Sequence, residues 1–291
     1  MGHVLGVLGG SGLYHLPGLA EVTELSVDTP FGAPSDALVR GRLGDTELVF
    51  LPRHGRQHAI PPSRVNYRAN IHALKQLGCT HVVSVSAVGS LREELLPGHL
   101  VVPSQYIDRT VGRAASFFDE GVAVHVSMAD PVCPVLAEAL AGAAATTGAT
   151  VHTGRTYVCI EGPRFSTRAE SHLFRQWGAD VVGMTNVPEA FLAREAELPY
   201  ATLCLSTDYD CWRPHDEVDV TAILAILKQN VERAQETLRA LSGALPDPAR
   251  SPARSALQYA LLTRPEAVPA GLRQRYRVLL GRFFEGPPGA P

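Results

Sequence analysis

Six short runs of the chain are almost uninterruptedly apolar: Val4 to Leu8, Leu48 to Leu51, His81 to Val85, Leu100 to Val102, Val181 to Met184 and Thr202 to Leu205. Such runs suit strands of a parallel sheet covered on both faces, where no position has to be wet. Between them the apolar period lengthens to that of a helix. Arg64 to Leu77 sets Val65, Ala69, Leu74 and Leu77 on one side and stops at Gly78, a residue that tolerates a left-handed cap. Val220 to Leu241 repeats Val220, Ile223, Leu224, Leu227, Val231, Ala234, Leu238 and Leu241, giving one buried stripe and one wet face. A further helix contains Ala190 to Glu197. Strands alternating with helices predict an α/β fold: a single domain with a central, mostly parallel mixed sheet flanked by helices.

In such sheets the binding crevice lies outside the carboxyl ends of the strands, so the residues that follow each run carry the chemical signal. The last run ends in Thr207-Asp208-Tyr209-Asp210-Cys211-Trp212, two carboxylates beside an aromatic ring. The bland alternative is a solvated turn with Asp208 as a helix cap. The first run ends in Gly9-Gly10-Ser11-Gly12, where backbone N–H groups and the Ser11 hydroxyl suit an anion; the alternative is a tight turn that binds nothing. The dinucleotide pattern fails because position 15 is His15, and no Walker lysine follows. Arg53 and His54, after the second run, offer a guanidinium fork and an imidazole to an oxyanion, unless Arg53 serves an ordinary ion pair. His54 and His58 stand four apart, but no third ligand accompanies them, and a metal is not expected. Ser86 and Ala87 end the third run among small residues that let a ligand approach the backbone. Met184 and Thr185 close another; Met184 suits a sugar or base face, or else is a core residue ahead of a helix cap.

Composition narrows the class. The 291 residues are 45% hydrophobic, with 26 basic and 29 acidic side chains and a net charge of -3, so nothing invites a nucleic acid. The five scattered cysteines, Cys79, Cys133, Cys159, Cys204 and Cys211, show no C-x-x-C spacing and read as reduced thiols of a cytoplasmic protein. No signal peptide or membrane-length apolar run is recognisable.

Taken in order, Gly9-Gly10-Ser11-Gly12, Thr29-Pro30-Phe31-Gly32, Arg53-His54-Gly55-Arg56-Gln57-His58, Glu161-Gly162-Pro163-Arg164-Phe165-Ser166-Thr167-Arg168-Ala169-Glu170-Ser171, Met184-Thr185 and Thr207 to Trp212 resemble the methylthioadenosine phosphorylases, in the trimeric branch of the purine nucleoside phosphorylases. The resemblance spans about residues 4 to 240 and implies displacement of adenine by inorganic phosphate, the co-substrate, with no organic cofactor or metal. It implies phosphate binding by Ser11, Arg53, His54, Ser86, Ala87 and Thr185. It sets Phe165 against the base, Met184 against the ribose, and Asp208 and Asp210, the catalytic pair, at the purine edge. A serine at position 86, often threonine in the family, keeps the hydroxyl. Relatives acting on 6-oxopurines carry asparagine at the place of Asp208, so a carboxylate there points to adenine. Val220 and Ile223 would form an apolar 5′ slot with His125 nearby, although core packing explains Ile223 equally well. In the family a leucine of the neighbouring subunit closes that slot; Leu262 is the candidate, and a homotrimer with its site near the subunit interface is implied.

Two boundaries complete the expectation. Residues 1–242 form the phosphorylase-like domain, and residues 243–291 an extension broken by Pro246, Pro248, Pro252, Pro265 and Pro269. Its basic stretch Arg273 to Phe284 suits a terminal helix docked on its own fold or a membrane-surface or partner helix, and Gly286 to Pro291 should be disordered. Phosphorolysis of 6-oxopurine nucleosides, nucleoside hydrolysis and non-catalytic nucleoside binding remain as alternatives.

Overall fold

The computed structural model describes residues 2–10, 12–13, 16–213 and 220–285, with backbone alone for 220–225. Nine strands alternate with helices: β1 Val4–Gly9, β2 Ala20–Leu25, β3 Leu38–Leu43, β4 Thr46–Pro52, α1 Tyr67–Gln76, β5 His81–Ser90, β6 Leu100–Arg109, α2 Pro134–Ala145, β7 Val151–Ile160, α3 Arg168–Gln176, β8 Val181–Gly183, α4 Asn186–Glu195, β9 Tyr200–Asp208, α5 Val220–Ser242, α6 Ala270–Arg275 and α7 Arg277–Phe284. The sheet is mixed. Parallel pairs join β1 to β4 and β5, β5 to β9, and β7 to β6 and β8, while β2–β3, β3–β4, β5–β8 and β6–β9 run antiparallel. Because β5 pairs with both β8 and β9, strands β5, β9, β6, β7 and β8 close on themselves, and β1 to β4 extend from that ring as an open wing.

Burial on both faces is visible residue by residue. In β4, Val49 and Leu51 pack into one core with α1 and α4, while Leu48 and Phe50 pack into the other with α2 and α5. Alternation of this kind, with every residue apolar, is what fixes a strand between two helical layers. Each fully buried leucine or phenylalanine contributes about 2 kcal/mol of transfer free energy to holding the strand there.

Local chemistry sets the ends. Helix α1 begins at Tyr67 and not at Arg64 because the Asn66 side chain accepts the Ala69 amide; Pro62 to Arg64 form a 3-10 turn instead. Beyond Ser242 the chain makes three proline-initiated 3-10 turns before α6 and α7. Leu257, Val268, Tyr276, Leu279 and Leu280 are buried in the same core as α1 and α4, so this segment shares the main core. The basic stretch of the tail is thus seated on the fold, broken at Tyr276 into two short helices. Gly286 to Pro291 lie outside the described residues.

Candidate active site

Strands β1, β4, β5 and β9 are parallel, so their carboxyl ends emerge on one side. There they surround a cavity of about 470 Å³ lined by residues from all four ends and from β8. That volume suits a nucleoside with a small anion. The cavity has a side lined by Arg53, His54, Ser86 and Thr185 and a carboxylate side, and different strands supply them.

Arg53 follows β4 and is 2% exposed. Glu189 of α4 holds it in a fork: Nε donates to Oε2 at 2.6 Å and Nη2 to Oε1 at 3.1 Å. Nη2 also donates to Ser84 Oγ at 2.5 Å, and Nη1 to the carbonyl of Val85 at 3.3 Å. The ion-pair alternative is therefore realised. Arg53 forms a buried ion pair and lines the cavity, with one Nη1 hydrogen left for a ligand. His54 beside it donates from Nδ1 to the carbonyl of Ile60, 2.8 Å away. Burial, and then the charge of Arg53, pull its pKa down to about 4. The ring is neutral at pH 7, and Nε2 is left as an acceptor. His58, held at φ 54°, packs at a tilt against His54 with ring centroids 4.4 Å apart, and among the described residues no group of three metal-ligating side chains gathers there.

The antiparallel pairing of β8 with the end of β5 folds Thr185 back beside Ser86, and their hydroxyl oxygens lie 3.3 Å apart. Thr185 occupies the helix-cap position of α4 but makes no side-chain cap bond; its hydroxyl belongs to the cavity instead. Ala87 and Gly10 line the same side. Ser11 lies outside the described residues.

On the opposite side Asp208 ends β9. Thr207 Oγ1 donates to its Oδ1 at 2.6 Å and the Asp210 amide to its Oδ2 at 2.8 Å, so the carboxylate is fixed in place. Burial nonetheless pushes its pKa up. Asp210, held at φ 52°, is also pushed up, by burial first and the charge of Asp208 in addition, against hydroxyl contacts that favour ionisation. A left-handed aspartate costs on the order of 1 kcal/mol, which the surrounding contacts must offset. Gly89 permits this arrangement, since a Cβ there would stand 3.2 Å from Asp208 Oδ2 and from Asp210 Cβ.

Met184 and Phe165 line the space between the two sides, Phe165 with 49% of its surface exposed. Gly162 is left-handed at φ 63°, and a Cβ on it would come within 2.6 Å of Met184 Sδ, so glycine is required for the two loops to meet. Leu227 and Val231 of α5 also line the cavity. They lie four and eight residues beyond Ile223, on the stripe that the helical period marks, and the sequence reading stopped one turn short of them. The side chains of Val220 and Ile223 are outside the described residues. His58 and Pro62 also join the lining; the histidine was visible in the sequence only as a weighed metal ligand.

His125 does not reach this cavity. Its amide donates to Ala260 and that of Leu262 to Ala123, a short antiparallel contact that pins the segment elsewhere. Leu262, 63% exposed, and the exposed His125 instead face outward together.

Residues 4–242 match the Phosphorylase superfamily, and the chain belongs to that superfamily. Within it, the similarity runs to S-methyl-5′-thioadenosine phosphorylases. That of Geobacter sulfurreducens is 53% identical over 285 residues, covering 97% of this chain and all of the relative, and that of Synechocystis is 49% identical over 99% and 89%. The match therefore continues into the extension after residue 242. Among solved structures, a methylthioadenosine phosphorylase from an antarctic soil metagenomic library superposes with a TM-score of 0.91 at 46% identity, covering 96% of this chain and 99% of the other. The Schistosoma mansoni methylthioadenosine phosphorylase in complex with adenine gives 0.85 at 38% identity, covering 89% and 99%.

Proposed function

We propose that the chain catalyses phosphorolysis of S-methyl-5′-thioadenosine, giving adenine and 5-methylthioribose 1-phosphate. The observation that carries this reading is one cavity with anion donors on one side and two carboxyl groups of raised pKa on the other. Cleavage of a glycosidic bond leaves positive charge on the ribose and negative charge on the departing purine, so a catalyst needs an anion beneath the sugar and a proton near the base. Phosphate supplies the anion, and one of its oxygens forms the new bond to C1′ as the electron pair of the C–N bond leaves with adenine.

Arg53, the paired Ser86 and Thr185 hydroxyls, the Ala87 backbone and Ser11 hold phosphate. Since Glu189 neutralises Arg53 and His54 is uncharged, the oxygen facing His54 Nε2 carries a proton, which it donates. Met184 covers the ribose and Phe165 the base. Asp208 accepts from the exocyclic amine or gives a proton to N7, with Asp210 keeping one proton in the pair. No metal or organic cofactor takes part.

The 5′-methylthio group enters the apolar end near Leu227 and Val231, with Val220 and Ile223 completing it. The outward pair His125 and Leu262 closes this end on a neighbouring subunit, in a homotrimer. Substrates are a nucleoside and phosphate, with no nucleic acid or membrane partner; no described helix is long and apolar enough to cross a membrane. The unpaired cysteines suit the cytoplasm. Adenine release measured with phosphate present and omitted tests the reaction. Phosphate-independent release would indicate a hydrolase, and no release would leave nucleoside binding.

A further inference from the structure

The loops after β7 and β8 form the base and ribose walls of the cavity, and one side chain outside the cavity joins them. Arg113, in the connection from β6 to α2, keeps only 3% of its side chain exposed. Its Nη2 donates to the carbonyls of Glu161 at 2.7 Å and Ile160 at 3.4 Å. Nη1 donates to those of Met184 at 2.9 Å and Val187 at 2.7 Å and lies 3.0 Å from Tyr67 Oη, whose ring is stacked 5.2 Å from the guanidinium carbon. Nε stands 3.3 Å from the Glu161 carboxylate, which also accepts the Val111 amide. Arg113 is itself anchored nearby, because Ser116 Oγ and the Phe117 amide both donate to Glu195 of α4 at 2.8 Å.

We propose that Arg113 is a positioning residue that sets the width of the ribose gap, an inference that rests on the phosphorolysis reading. Two carbonyls at the end of β7, Ile160 and Glu161, and two from the passage of β8 into α4, Met184 and Val187, converge on one planar fork, so the distance between these segments is fixed by a rigid group and not by packing alone. Lysine carries the same charge but cannot span four carbonyls in one plane, and it would leave buried acceptors unpaired. The tight passage of Met184 Sδ past Gly162 lies at the junction so clamped. The anion side is built differently. Arg53, Ser86, Ala87 and the glycine loop come from β4, β5 and β1, and Thr185 alone belongs to a clamped loop. Loss of the clamp therefore affects the nucleoside far more than phosphate.

Steady-state constants for R113K and R113M, with thermal unfolding of each, test this. Nucleoside KM should rise about tenfold and kcat fall about ten- to a hundredfold, as expected for a small misplacement of bound substrate, with phosphate KM within about threefold. Guanidinium, and not methylammonium, should restore activity to R113A. E161Q leaves the carbonyl contacts intact and should move nucleoside KM in the same sense by about threefold, which keeps the test open if the arginine variants fold poorly. An arginine needed only for stability would lower the folded fraction and leave both KM values unchanged. Wild-type constants in R113K, an equal rise in both KM values, or loss that tracks the folded fraction would overturn the proposal. Calorimetric adenine binding to wild type and R113K separates the outcomes: a weakened variant supports the clamp even if wild-type turnover contradicts phosphorolysis.

Discussion

A carboxylate and a carboxamide at position 208 differ in the hydrogen bond they offer a purine 6-substituent. Asp208→Asn should depress kcat/KM for methylthioadenosine at least tenfold more than for methylthioinosine, because the amide can donate to a 6-oxo group. Equal losses on the two substrates would remove Asp208 from the base. Gly162→Ala tests the other wall: a left-handed alanine whose Cβ meets Met184 Sδ must push the methionine aside. Nucleoside KM should rise at least fivefold with phosphate KM little changed, and stability should fall by about 1 kcal/mol. The residue chemistry of this site was largely readable in the sequence, since strand ends announce their polar residues. The partner of Arg53 was not. Glu189 lies 136 positions away on α4, and only the fold brings the two together.

That ion pair ties the end of β4 to α4, so its loss belongs to the elements. Glu189→Gln leaves a buried guanidinium without a counter-charge and should cost about 3–5 kcal/mol in denaturant unfolding; a change below about 1 kcal/mol would show that the pair is not what fixes Arg53. Elements built on an unbroken run of buried apolar residues, such as β1 and β4, were legible from that run. β2 was not, because Ala20 to Glu24 are all exposed and no apolar pattern marks them. β7 was missed for a related reason: full burial begins only at Tyr157, and its first half, Val151 to Thr156, reads as polar loop. The closing of β5 to β9 into a ring depends on β7, so that topology could not be seen from the runs alone.

Away from the cavity, one buried acid among the described residues, Glu195, has no cation to balance it. Burial raises the Glu195 pKa from its ordinary 4.5 to about 7, against hydrogen bonds from the Phe117 amide and Ser116. Between those values the unfolded chain has released the proton and the native chain has kept it, so stability falls as pH rises from about 4.5 to 7 and is flat above, a loss of about 3 kcal/mol. Glu195→Gln imitates the protonated acid, so its stability relative to wild type should climb through that window; a pH-independent difference would contradict the assignment. The central claim, that phosphate and an adenine nucleoside meet in one cavity, is tested most directly by adenine release from methylthioadenosine with and without inorganic phosphate, beside methylthioinosine and inosine. Phosphorolysis through Asp208 predicts release that requires phosphate and favours methylthioadenosine. Release without phosphate, or a preference for the inosine compounds, would contradict it.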